Sequence, residues 1–177
     1  MNRTLLAHQL HSYHTPFPEE KEFVSRFLEL LKSNDAFHRT HLPGHITGSA
    51  WILNKNKDQT LLVHHAKLNK WVQPGGHADG DENVLQVALR EAEEETGLKN
   101  FNITPTIFDI DIHTIPDRKD FPEHQHYDIR YLLEADVSEL IIVSEESRDV
   151  KWIPLNKLED FTLERSVLRM KEKLGTY

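Results

Sequence analysis

Four acidic residues crowd one short stretch, Glu91-Ala92-Glu93-Glu94-Glu95, preceded by Arg90 and closed by Thr96-Gly97. On a helix, at about 100° per residue, Glu94 falls about 60° to one side of Glu91 and Glu95 about 40° to the other, so these three carboxylates share a face. Alone, that face is unfavourable. Glu91 and Glu95 are like charges at i,i+4, Glu91 and Glu94 at i,i+3, and acids near a helix C-terminus oppose the macrodipole. Arg90, four residues before Glu94, offsets part of the repulsion. A hard divalent cation, Mg²⁺ or Mn²⁺, can offset the rest, because it takes oxygen ligands and bridges carboxylates to substrate phosphates. A solvated glutamate-rich face is the ordinary reading of such a run, and the flanking spacing is what weighs against it here.

Histidine is the second feature, with 12 in the chain. His38 and His45 stand seven apart, His77 follows Gly75-Gly76, and His124-Gln125-His126 forms an HxH. A single histidine is by default a hydrogen-bonded or surface residue. An HxH beside a strand differs, since alternation puts both rings on one side, which suits a metal. Some of His45, His77, His124 and His126, with His38 as a further member, therefore form a candidate second site for a transition metal; the alternative is that these rings hydrogen-bond loops or meet phosphate.

The elements that must position these residues follow from periodicity. Pro18 to Asn34 opens with proline and acids and spaces Phe23, Phe27, Leu30 and Leu31 as an amphipathic helix. Ile46 to Asn54 and Thr60 to Lys67 flank a polar pentapeptide and read as a hairpin. Glu82 to Thr96 reads as a helix, with Asp79 or Asp81 as N-cap, Gly97 as stop, and Leu85, Ala88, Leu89 and Ala92 facing a core. Strands are expected at Asn102 to Ile112 and Tyr127 to Asp136, with a long loop between them. A short strand at Val150 to Ile153 precedes a helix from Pro154 to Lys173. Residues 1–36 read as an N-terminal helical extension and 37–177 as the domain that carries the site.

Composition bounds the rest. A chain of 177 residues with 38% hydrophobic and 28% charged residues suits one globular unit. Nothing approaches the roughly 20 apolar residues of a membrane span. The N-terminal stretch lacks the pattern of a secretory leader, so a cytoplasmic setting is expected. With no cysteine, any metal must be held by oxygen or imidazole. A net charge of -8 argues against stable binding to nucleic acid or an anionic membrane.

The spacing Gly76, five residues, Glu82, seven residues, then Arg90-Glu91-Ala92-Glu93-Glu94-Glu95-Thr96-Gly97-Leu98 resembles the Nudix box, GX5EX7REUXEEXGU, at every specified position, with Ala92 a small choice for the apolar one. The resemblance implies an α/β fold, an α/β/α sandwich around a mixed β-sheet, and a metal-dependent hydrolase whose partner is a small-molecule diphosphate, a nucleoside diphosphate derivative or similar X-linked diphosphate, cleaved at its pyrophosphate bond by water attack on phosphorus. It implies Glu94 and Glu95 as metal ligands and Glu91 as ligand or general base. By the same resemblance Arg90 orients Glu91, the Gly75 carbonyl meets the metal, and Glu82 supports the loop or an outer metal. Glu145, Glu146 and Asp149 are candidates for a later acidic ligand, with no choice among them.

The histidine placement also resembles that of type I isopentenyl diphosphate isomerases, whose metal is held by histidines and glutamates. Gly75 stands where those enzymes carry a cysteine, which disfavours isomerase activity. A non-catalytic sensor of nucleotides or metabolites is the other alternative, although such sensors can lose carboxylates and none is lost here. For substrate selection, Arg130 is the best candidate phosphate contact, ahead of His113, Arg118 and Lys119. Trp71 would stack on a base or pack as a core residue. Pro116 is displaced from the position associated with ADP-ribose enzymes, and no tyrosine stands where the dinucleoside polyphosphate subgroup has one, so those substrates are disfavoured.

Overall fold

The computed structural model describes residues 2–119 and 121–175. Two helices open the chain. In α1 (Arg3–His11) the Asn2 side chain accepts the Leu5 N–H as N-cap, and α2 (Pro18–Leu30) begins with its proline and places Glu19 and Glu20 in its first turn. Only the second was foreseen, because α1 is short and its apolar face is just Leu6 and Leu10.

The centre is β1 (Gly44–Asn54), buried along its whole length. It runs parallel to β6 (His124–Ala135) and antiparallel to β2 (Gln59–His65), while β5 (Asn102–Ile115) pairs antiparallel with β6. Beyond β2 lie β3 (Lys70–Val72) and β7 (Ser147–Pro154), and β4 (Gly75–His77) pairs with the first half of β1. The result is a mixed seven-stranded sheet.

Alternation along β1 divides the core into layers. Ala50 and Ile52 meet Ala92 and Leu98 of α3 (Val84–Thr96) and its end, whereas Trp51 and Leu53 meet Leu158 of a 3-10 helix (Leu155–Asp160) and Val167 and Met170 of α4 (Arg165–Leu174). Leu6, Leu10, Phe27 and Leu31 join Ile46, Val84, Val87 and Ile129 in one cluster, so the N-terminal helices share the core on the α3 side. Helices therefore cover both faces of the sheet, as expected. A Cβ on Gly48 would come within 2.9 Å of the Val84 carbonyl, so the glycine lets α3 lie close on β1. Among the described residues no helix is long and apolar enough to cross a membrane.

Three expectations are corrected. The N-cap of α3 is Asn83, whose Oδ1 accepts from Gln86 N, and not Asp79 or Asp81. Asp79 and Gly80 take positive φ of 50° and 90°, making a turn, and Asp81 accepts from Asn83 N, so Glu82 lies ahead of the helix. The C-terminal helix is two pieces, because Phe161–Glu164 breaks it and Thr162 Oγ1 takes the Glu164 N–H. The long loop is shorter than expected, because β5 and β6 pair as far as Ile115 and His124.

The sheet side facing α4 also holds a buried charge network. Asp109 accepts from Arg130 (3.1 Å) and Arg169 (2.9 and 3.0 Å), Arg130 donates to Asp128 (2.7 Å), and Lys173 pairs with Asp109 and Glu20. Mutual pairing of this kind is what makes buried charge tolerable. It ties α2 and α4 to β5 and β6.

Candidate active site

The glutamate face of α3 lies against β4, and the glycines of β4 make that approach possible. Glu95 is 8% exposed and one carboxylate oxygen accepts the Gly75 N–H at 3.0 Å. Glu91 sits over Gly76, where a Cβ would fall 2.5 Å from its carboxyl carbon. Arg90 donates to Glu91 at 2.9 Å and to the His77 carbonyl at 3.1 Å. Glu94 is more exposed, 4.0 Å from the Arg90 guanidinium. Along β4, Gly75 thus binds one oxygen of Glu95, Gly76 leaves room for the Glu91 carboxyl group, and the His77 carbonyl holds the far end of Arg90.

The electrostatics of this rim are unbalanced. Burial, then the neighbouring charges of Glu91, Glu146 and Glu94, push the Glu95 carboxyl up to about 8, against the opposing Gly75 hydrogen bond. Burial likewise raises Glu91, partly countered by Arg90. Of the three later acids, Glu146 is the one whose charge bears on both Glu91 and Glu95; Asp149 is paired with Lys151 instead. Such a set of crowded oxygen donors, short of positive charge, fits a hard divalent cation.

Glu82 does something more local. Its carboxylate accepts from the Arg3 backbone N–H (3.1 Å) and guanidinium (3.0 Å), fastening α1 to the loop that leads into α3. Arg3 also donates to the carbonyls of Ser33 and Asn34. Asp79 pairs with Arg39 across the same loop.

The histidines gather on the neighbouring part of the sheet. One nitrogen each from His45, His77 and His126 lie within 4.8 Å of one another, and His124 Nε2 is 3.3 Å from His126 Nε2. His38 stands apart from this group, against Gly80. His113, read from sequence as lying in or beside the long loop, belongs beside them: it is opposite His126 in the β5–β6 ladder, their ring centres 5.4 Å apart. Only the extent of strand pairing reveals that, and the sequence signal would have been the alternation Asp109, Asp111, His113 along β5.

The two substrate candidates are both engaged with protein. Arg130 is 1% exposed and divides its donors among Asp128, Asp109 and Ser166. Trp71 stacks on His64 with ring centres 4.9 Å apart, has Phe161 edge-on, and carries the Lys151 ammonium 5.5 Å from its ring centre. His113 hydrogen-bonds Asp111.

The family model described as NUDIX domain matches residues 44–173. A probable DHNTP pyrophosphohydrolase of Lactococcus lactis subsp. cremoris (strain MG1363) is 30% identical over 123 residues, covering 68% of this chain and 74% of that protein. Among solved structures, a NUDIX-family hydrolase from Clostridium perfringens superposes with a TM-score of 0.56 and 27% identity, over 75% of this chain and 97% of the other. The binary complex of a C. elegans Ap4A hydrolase gives a TM-score of 0.61 at 18% identity, over 74% and 95%, and so matches in fold.

Proposed function

The chain belongs to the NUDIX domain family and is a Nudix hydrolase, and from that membership we propose a metal-dependent pyrophosphohydrolase acting on a nucleoside diphosphate derivative or a similar X-linked diphosphate. The observation that carries this reading is the seating of Glu91 and Glu95 on Gly76 and Gly75, where burial, and after it the neighbouring carboxylates, raise both.

Glu91, Glu94 and Glu95, with the Gly75 carbonyl, would hold the cation. Glu146 is the later acid that completes the set, supported by its charge at both Glu91 and Glu95. Bound there, Mg²⁺ or Mn²⁺ would supply neutralisation of the diphosphate and acidification of a water. Glu91, through the carboxylate that Arg90 orients, takes the proton of the attacking water. Arg90 fixes the direction of that carboxylate by holding it and the His77 carbonyl together. The bond that breaks joins phosphorus to the bridging oxygen, and the products are two phosphorylated fragments.

The test is turnover of a panel of nucleoside and pterin polyphosphates in H₂¹⁸O with Mg²⁺ or Mn²⁺, followed by mass spectrometry. Label should enter one phosphate product, and Glu91→Gln should lower kcat by about 10² to 10⁴. Binding without turnover across the panel, with Glu91→Gln indistinguishable from wild type, would overturn the reading in favour of a sensor.

A further inference from the structure

The histidine cluster lies outside the glutamate rim, and nothing in the hydrolase chemistry above uses its rings. Its origin is register. His45 of β1 stands opposite His126 of β6, and His126 opposite His113 of β5. His77 of β4 stands opposite Thr47, two residues on from His45. Opposed residues share a sheet face, as do residues two apart, so four strands deliver their rings to one side, with His124 the neighbour of His126 along β6.

The rings then converge. Ring centres lie 5.2 Å apart for His45 and His77, 5.0 Å for His45 and His126, and 4.9 Å for His77 and His126. We propose that His45, His77 and His126 bind a borderline transition-metal dication of the Zn²⁺, Co²⁺ or Ni²⁺ class, at a site separate from the glutamate rim.

Geometry supports this first. Three atoms at the corners of a 4.8 Å triangle lie about 2.8 Å from its centre, and zinc–imidazole bonds are about 2.1 Å, so small ring movements close the site. The second support is an orphan. His45 is 1% exposed, and its Nε2 has no hydrogen-bond partner although buried, while its Nδ1 is held by the His41 carbonyl at 3.4 Å. Buried polar atoms are almost always paired, and a metal ligand is the kind of atom that is left open. A closed network of imidazole hydrogen bonds accounts for His124 and His126 but leaves His45 Nε2 unpaired.

For His45 the outer contact follows the pattern of metal-binding histidines, whose second nitrogen is fixed by a carbonyl or carboxylate. Besides His45, His124 Nδ1 meets the Pro122 carbonyl at 2.8 Å, which leaves its Nε2 beside His126 as a fourth donor. The donor set is all nitrogen, which selects against Mg²⁺ and Ca²⁺.

The experiment uses tag-free, full-length protein stripped with chelator and titrated with Co²⁺ while excess Mg²⁺ occupies the rim, read by visible absorption and metal analysis. One Co²⁺ should bind in wild type and in the Glu91→Gln/Glu95→Gln double variant, and affinity should fall on the order of 100-fold in His126→Gln and His45→Gln. Because a ring substitution in this interior can unfold the chain, ¹⁵N-edited ring spectra of wild type with Zn²⁺ supply a second measurement: nitrogens of His45, His77 and His126 should shift to metal-bound positions. Absence of Co²⁺ binding under Mg²⁺, retention of it in the folded histidine variants, loss of it in the glutamate variant, or Zn²⁺ shifts confined to other histidines would each overturn the proposal. These readouts are of binding, so they stand or fall independently of hydrolysis.

Discussion

Arg90 donates to the backbone carbonyl of His77 at 3.1 Å, so the helix that carries the glutamates is fastened to the strand they sit on by one guanidinium. The same nitrogen holds Glu91 at 2.9 Å. A planar fork can serve both acceptors in fixed directions, whereas a lysine ammonium on a flexible stem cannot. Arg90→Lys should therefore keep the charge yet lower kcat roughly 10-fold or more with little change in melting temperature, measured by steady-state kinetics beside thermal unfolding. Equal kcat in the lysine variant would show that Arg90 supplies charge alone.

Gly76→Ala should separate folding from function. The added Cβ falls 2.5 Å from the Glu91 carboxyl carbon and 2.5 and 2.7 Å from its oxygens. That carboxyl is the end of a flexible side chain, so it can swing away at small cost to the fold. The expected outcome is a folded protein with kcat reduced by about 10² or more, the range lost when a positioned proton acceptor is displaced. Circular dichroism with a turnover assay checks both halves.

Arg3→Ala should loosen the N-terminus from the site. Its guanidinium bonds Glu82 and the Ser33 and Asn34 carbonyls, so α1, the turn that follows α2 and the loop before α3 share it. The pair is partly exposed, and the expected loss is about 1 kcal/mol, or roughly 3 °C in Tm for a chain of this size. Hydrogen exchange should quicken in residues 3–11 and near Glu82 before it does in the sheet.

Asp109→Asn should be far costlier. It leaves Arg169, Arg130 and Lys173 short of a buried counter-charge, a change of about 3 to 5 kcal/mol at neutral pH. Burial opposes ionisation of Asp109, but the Arg169 hydrogen bond and the Arg130, Arg169 and Lys173 charges outweigh it and hold the carboxyl below its ordinary 3.8. With the folded value below the unfolded one, the contribution is intact above pH 3.8 and is lost as pH falls through the folded value. The gap between wild type and variant should stay flat from about pH 8 to 5 and narrow only in stronger acid, as urea melts across pH would record.

How much was readable depended on range. The face shared by Glu91, Glu94 and Glu95 follows from helical repeat, and it appears as expected on α3. The paired strands β1 and β2 and the helix α2 were likewise local patterns. Asn83 as cap was missed because three candidate capping residues stand within five positions, and the turn at Asp79-Gly80 chooses among them. Arg130 looked from its strand like a residue free to meet phosphate; its partners Asp109 and Ser166 are 21 and 36 residues away, and only the pairing of β5 with β6 and the docking of α4 bring them to it.

The sequence by itself determined the chemistry of the rim: residue types fixed at helical spacing are a short-range property, set by backbone geometry before any tertiary contact forms. It determined the HxH of His124 and His126 in the same way. The tertiary structure decided which carboxylates meet which backbone, that the charge of Glu146 reaches Glu91 and Glu95, and that His45, His77, His113 and His126 share one face of the sheet. Those outcomes hang on strand register across a mixed sheet, where shifting a strand by one residue would turn every one of its side chains to the opposite face. No local pattern carries that information, because it is set by the summed burial of the two core layers on either side of β1.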